Sequence, residues 1–263
     1  MFFFYLALTI LGLVIGSFLG MLAYRLPRRI SITGRSFCPK CKKKISWYQN
    51  VPIVYYLISA GKCGECGKKI HWRYPAIELA TAVSFVTSGW LWLNLPTGLA
   101  MNVAETLGIL SLPFFLLLVT CYLLLTIIDL EFQILPDEIL LVLGSVVLIA
   151  LLFSPSPTLF QHIFWGFISF VFFLVLYLVT KGRGMGFGDV KMSAILGSLV
   201  GFPGVLVWGF VSFLTGAVVG IILLVTGRAS IGKPIPFGPF LLASNWLVLF
   251  YGEKIVKWYS GLL

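Results

Sequence analysis

Apolar residues in this chain come in long runs broken by short polar connections. The first run, Phe2 to Tyr24, is long enough to cross a hydrocarbon core about 30 Å thick, for which roughly 20 helical residues suffice. Further runs fall at about 75–95, 109–128, 139–153, 160–180, 190–203, 205–226 and 238–251. The pattern predicts an all-α polytopic membrane protein with about eight transmembrane helices. Runs 139–153 and 190–203 are short, and the turn at Gly201–Gly204 leaves open whether 190–226 is two spans or one bent helix. The first run has no basic segment ahead of it and no small-residue cleavage pattern, so it reads as a retained signal-anchor.

Between the first two runs the character of the chain changes, which divides it into a first transmembrane helix (1–24), a polar module (25–74) and a membrane core (75–263). Composition agrees with that picture. At 59% hydrophobic and 11% charged residues, with a mean hydropathy of +1.02, the chain is not a soluble enzyme, a disordered protein or a disulfide-stapled secreted module. The net charge of +10 is confined to one place. Arg25 to Arg73 holds 12 basic residues against the single acid Glu65, while the remainder has seven basic residues and eight acids. The positive-inside rule therefore puts 25–74 in the cytoplasm and Met1 outside. With eight spans, Lys181, Arg183, Lys191, Arg228 and Lys233 also fall inside, and only Lys254 and Lys257 fall outside.

The basic module carries two C-x-x-C pairs, Cys38–Cys41 and Cys63–Cys66, inside a repeat of period 25 in which Ile45 matches Ile70 and Trp47 matches Trp72. Four thiolates satisfy tetrahedral zinc. A cytoplasmic loop disfavours the alternative of two disulfides. The expected structure is two knuckles facing each other across one structural Zn2+, with a small core of isoleucine and tryptophan beside it. A metal suits a module of about 50 residues that cannot bury much core alone. The excess positive charge suits anionic lipid headgroups better than nucleic acid.

Ionisable residues at membrane depth are functional suspects. Asp129 ends the run Cys121 to Asp129, and Asp189 begins another after Gly184, Gly186 and Gly188. Both fall at the cytoplasmic boundary. Two carboxylates at one depth can work as an acid–base dyad, one activating water while the other protonates a leaving group. Asp129 stands at a helix C-terminus and Asp189 at a helix N-terminus, a polarity that favours charge on Asp189 and a proton on Asp129. The plainer reading makes Asp189 a helix cap and Asp129 an interfacial residue. Glu131, Asp137 and Glu138 lie close to Asp129 in sequence, where they can attract a basic substrate segment. Glycine at 186 and 188 permits close approach of a backbone or substrate. The spacing G-x-G-x-G, without a β-α-β context, excludes a dinucleotide loop. Glu78 lies about one turn into the second run.

At these residues the chain resembles the type IV prepilin peptidases, polytopic aspartyl proteases of the G-x-G-D class. The resemblance rests on Gly16-Ser17-Phe18-Leu19, Tyr24-Arg25-Leu26-Pro27, the two C-x-x-C pairs, Asn50 and Pro52, Gly61-Lys62-Cys63 and Arg73-Tyr74-Pro75 through Glu78-Leu79. It continues through Ile128-Asp129, Leu135-Pro136-Asp137, Gly184 through Lys191, and Ile235-Pro236-Phe237-Gly238-Pro239-Phe240. Gly20 stands where the family usually carries Asn, and Gln49 where Glu is common. The resemblance implies a multi-pass protein of the bacterial inner membrane. It implies cleavage of type IV prepilins or pseudopilins after Gly on the cytoplasmic side, with Asp129 and Asp189 catalytic and Gly186 and Gly188 at the substrate. It further implies methylation of the new amino terminus from S-adenosylmethionine, in a region that includes Gly61 and Lys62, with Glu78 as a candidate for the cationic group. Two rival classes are a transporter using the aspartates as a proton relay and a non-enzymatic anchor with a zinc ribbon. Transport acids more often sit near mid-membrane, and inverted repeats are not evident.

Overall fold

The computed structural model describes residues 1–95, 99–153, 158–227 and 235–261. Arg228 and Lys233, which entered the charge argument, and most of the 154–159 connection lie outside them. Among the described residues the chain is helical, with no strand beyond two isolated bridges. It divides into two compact units, Met1–Leu93 and Asn94–Leu263.

In the first unit, α1 (Phe2–Arg25) packs against α3 (Arg73–Leu93). Small residues make this possible. A Cβ added at Gly12 would lie 2.6 Å from the Ala82 Cα, and one added at Gly16 would lie 2.6 Å from the Glu78 Cα. Without a hydrophobic gradient inside lipid, such close backbone approach supplies the packing energy of a helix pair. The polar module between them contains one short α-helix, α2 (Val54–Ile58), and two single 3-10 turns at Leu26–Arg28 and Trp47–Asn50.

The second unit contains α4 (Leu99–Leu107), α5 (Ser111–Phe132), α6 (Asp137–Leu152), α7 (Thr158–Val179), α8 (Phe187–Val225) and α9 (Gly238–Ser260). Among the described residues, five segments are long and apolar enough to cross a membrane: Phe2–Arg28, Arg73–Leu93, Leu99–Phe132, Leu159–Val179 and Phe187–Val225. Expected runs 190–203 and 205–226 join in α8, whose backbone leaves helical geometry at Gly201 (φ 55°) and Phe202 ahead of Pro203. The break frees the Ser198 carbonyl, which the His162 ring nitrogen Nδ1 meets at 2.6 Å. At the α7–α8 seam, a Cβ on Gly166 would lie 2.7 Å from the Ala194 carbonyl oxygen, and one on Gly197 would collide with the Ser169 hydroxyl. Farther along, the Trp208 indole N–H donates to the Leu241 carbonyl at 2.9 Å and ties α8 to α9.

Candidate active site and metal centre

In the first unit, the repeat of period 25 is carried by the backbone. Cys38 N–H donates to the Lys43 carbonyl at 3.0 Å, and Cys63 N–H to the Lys68 carbonyl at 2.9 Å. Ile45 N–H donates to Ser36 and Ile70 N–H to Gly61, at 2.8 and 2.7 Å. Lys42 and Gly67, at equivalent positions, both take positive φ. Two such knuckles bring the four sulfur atoms of Cys38, Cys41, Cys63 and Cys66 within 4.8 Å of one another. Tetrahedral zinc with bonds of about 2.3 Å separates its sulfurs by roughly 3.8 Å, so the donor set fits.

Burial raises the Cys38 thiol, but N–H groups of Cys41 and Lys40 outweigh it and hold the group down to about 7. At Cys41 the Lys43 N–H favours the thiolate, yet desolvation and the hydrogen-bonded sulfurs of Cys38 and Cys66 push it up to about 11. The expected aromatic core beside the metal does not form. Trp47 is 77% exposed and Trp72 69% exposed, because so short a module has no second layer to cover them.

Elsewhere in this unit Glu78 is buried on α3 and accepts the Ile53 N–H at 2.8 Å. Ile53, a β-branched residue, takes a positive φ of 58° there. Gly61, also at positive φ, turns against the Tyr56 ring, where an added Cβ would lie 3.2 Å from the phenol oxygen. Glu78 and Gly61 thus both touch the 53–56 segment, while Lys62 points to solvent.

In the second unit, Asp129 lies in the last turn of α5 and Asp189 in the first turn of α8. They are 5% and 6% exposed and lie within electrostatic reach of each other. Each holds one backbone N–H. Gly186 donates to Asp189 Oδ2 at 3.1 Å, and Gly238 donates to Asp129 Oδ2 at 3.0 Å. The other oxygen of Asp189, Oδ1, is buried without a protein hydrogen bond.

Gly238 opens α9, so Asp129 meets the N-terminus of a second helix as well as the C-terminus of its own. The expected polarity, with charge on Asp189 alone, is therefore offset: both carboxylates face a helix N-terminus. Leu135, from the α5–α6 connection, lies against the glycines at the starts of both α8 and α9. It would be 2.9 Å from a Cβ on Gly188 and 3.6 Å from one on Gly238. The tight approach at Gly188 is thus to Leu135, whereas a Cβ on Gly186 would meet Asp189 Oδ2 at an ordinary 3.6 Å.

Glu131 and Glu138 are exposed, and Asp137 pairs with Lys191 at 2.7 Å. Gly238 lies in the Ile235–Phe240 motif, but its bond to Asp129 spans 109 residues and no periodicity announces it.

Two buried aspartates in a bundle of apolar helices, each holding one backbone N–H, make a candidate site for acid–base chemistry. Residues 116–221 match the model of the type IV leader peptidase family, and residues 10–92 match the bacterial peptidase A24 N-terminal domain. Three curated relatives, each called prepilin leader peptidase/N-methyltransferase, are similar over nearly their whole length. The Pseudomonas aeruginosa protein is 34% identical over 97% of this chain and 93% of its own. The Bacillus subtilis protein is 31% identical over 96% of both chains, and the Legionella pneumophila protein 30% identical over 98% of this chain and 95% of its own. No solved structure matches the chain at a significant level. The chain belongs to the type IV leader peptidase family.

Proposed function

We propose that the chain is a membrane endopeptidase that removes the basic leader of type IV prepilins or pseudopilins after Gly, with Asp129 and Asp189 as its catalytic pair. One observation carries the catalytic assignment. Two carboxylates 60 residues apart in sequence are buried together, each with one backbone N–H and one of them with an unpartnered oxygen. Like charges within electrostatic reach of each other do not ionise independently, so the dyad titrates as a pair. The ionised carboxylate takes a proton from water, whose oxygen attacks the scissile carbonyl carbon. Its partner's proton passes to the departing nitrogen as the C–N bond breaks. Gly186 leaves room beside Asp189 for the substrate backbone, and Gly188, against Leu135, sets the height at which α8 begins. Glu131, Asp137 and Glu138 draw in the basic leader, Asp137 while also holding Lys191.

The same polypeptide then methylates the new amino terminus, in keeping with the names of its relatives. The donor implied is S-adenosylmethionine, which supplies an electrophilic methyl group on a sulfonium. A buried carboxylate suits a cation: Glu78 lies beside the 53–56 segment, and Gly61, with Lys62 after it, turns back against the Tyr56 ring of that segment. Zinc on Cys38, Cys41, Cys63 and Cys66 holds the 25–74 module together, and its basic surface rests on anionic lipid. The chain crosses the bacterial inner membrane about eight times, with its amino terminus outside and with the metal module and the aspartates on the cytoplasmic side.

The test is cleavage of a purified prepilin by the purified protein, with Asp129→Ala and Asp189→Ala alongside. Both substitutions abolish cleavage. Activity that survives either one refutes the assignment, and labelled S-adenosylmethionine in the same reaction reads methylation.

A further inference from the structure

The three helices that meet at the aspartates meet again seven residues along each. Tyr122 and Asp129 on α5, Asp189 and Leu196 on α8, and Gly238 and Asn245 on α9 share this spacing. Seven residues is close to two helical turns, so the members of each pair share a face about 10.5 Å apart. At the first level the Gly238 N–H donates to Asp129. At the second, the Tyr122 hydroxyl donates to Asn245 Oδ1 at 2.6 Å, and Asn245 Nδ2 donates to the Leu196 carbonyl at 3.1 Å. A helical carbonyl has a second lone pair to offer such a donor.

Asn245 has no exposed surface, and Tyr122 is buried beside it. Leu125, Leu199 and Leu249, on the same three helices, are all buried. A buried amide in apolar surroundings is costly wherever its bonds are unmade. Only one rotation and one axial setting of α5, α8 and α9 make both bonds at once, the register-fixing use to which single buried asparagines are suited.

We propose that Asn245, with Tyr122, is a positioning residue of the aspartyl pair. It locks the three helices in the register that keeps the Gly238 N–H on Asp129 and keeps Asp129 facing Asp189. The inference rests on the reading of those two aspartates as the catalytic pair.

The test compares Tyr122→Phe, Asn245→Leu and the double variant as full-length purified proteins, measuring kcat and KM for prepilin cleavage per folded molecule. Tyr122→Phe removes one of the two bonds and lowers kcat about 5-fold, less than the full misplacement of a reacting group would. Asn245→Leu removes both bonds and lowers kcat about 10- to 100-fold, the range expected when reacting groups drift by up to about 1 Å. KM stays within about twofold in each, because the leader does not touch this level. The double variant matches Asn245→Leu alone, since the two side chains act as one unit.

Unchanged kcat per folded molecule, a rise confined to KM, or single losses that multiply in the double variant overturns the proposal. Should Asn245→Leu fail to fold, Tyr122→Phe decides alone, because it keeps the ring packed on Trp246. Asp129→Asn and Asp189→Asn run beside them. Cleavage by either removes the catalytic pair itself, whereas dead controls with unaffected Tyr122→Phe remove only the positioning role.

Discussion

Gly238→Ala is the smallest change that reaches the aspartyl pair. An added Cβ at this position would lie 2.6 Å from Asp129 Oδ2 and 3.3 Å from its Cγ. Ordinary contact begins near 3.4 Å, so the carboxylate must retreat by about 0.8 Å, and in doing so it stretches the hydrogen bond from the Gly238 N–H. The atom that moves is the end of a side chain, so the fold absorbs the shift cheaply. Catalysis does not, because a misplacement of about 1 Å costs on the order of 10²-fold in rate, equivalent to roughly 2.7 kcal/mol in the barrier. The assay is kcat for a prepilin substrate in defined lipid, with the thermal unfolding midpoint measured on the same preparation. The expected result is a loss of about 10²-fold in kcat, with unchanged KM and little change in midpoint. Gly209→Ala is the control, since nothing lies within 4 Å of a Cβ there and alanine is the better helix former by up to about 1 kcal/mol. Gly238→Ala with kcat within threefold of the parent refutes the reading that this N–H sets the position of Asp129.

Asp129→Asn abolishes cleavage but leaves methylation of a pre-cleaved substrate intact, measured by label transfer; joint loss of both contradicts separate chemistries on the two units. Glu78→Gln keeps an acceptor for the Ile53 N–H and removes the charge, so methyl transfer falls while cleavage holds; a variant with full transfer rules out a role for that charge. Cys63→Ser lowers bound zinc from one per chain to near none by elemental analysis and makes the 25–74 region protease-sensitive. Zinc binding to metal-free protein at pH 7 releases protons, because Cys41, held up to about 11, carries one until the ion arrives. Its sign follows directly: affinity is lost as pH falls and thiolates are reprotonated, which calorimetry in two buffers of different ionisation heat detects. Lys191→Ala breaks the ion pair with Asp137, but the pair is exposed, and unfolding stability changes by less than about 1 kcal/mol.

The four-cysteine cluster was legible because its information is local. A knuckle is closed by bonds between residues four or five apart, and a period of 25 in the sequence becomes the same period in its hydrogen bonds. The apolar runs were legible for a related reason, since hydropathy reports the medium around a segment whatever its neighbours are. Where the two considerations met, the outcome was less predictable. At Gly201 the hydropathy of 190–226 is continuous, and only the non-helical backbone at Gly201 and Phe202 distinguishes a broken helix from a straight one. The tryptophan pair of the repeat matched in sequence but not in burial, because equivalence in a motif does not supply the second layer that a core requires.

The aspartates themselves show where the reading from sequence stops. Their places at helix ends could be inferred from each helix separately, and so could the local polarity of each end. The polarity argument failed as a way to tell them apart because Asp129 also meets the start of α9, 109 residues away. The same holds for Asn245, whose partners on α5 and α8 lie 123 and 49 residues off. In one apolar helix a buried asparagine is only an anomaly. Three helices, each with a group at the aspartate site and a second contact two turns away, make it a level in a bundle. Repetition of that interval on α5, α8 and α9 ties the level of Asn245 to the level of the chemistry, and predicts that activity is more sensitive than stability to changes there.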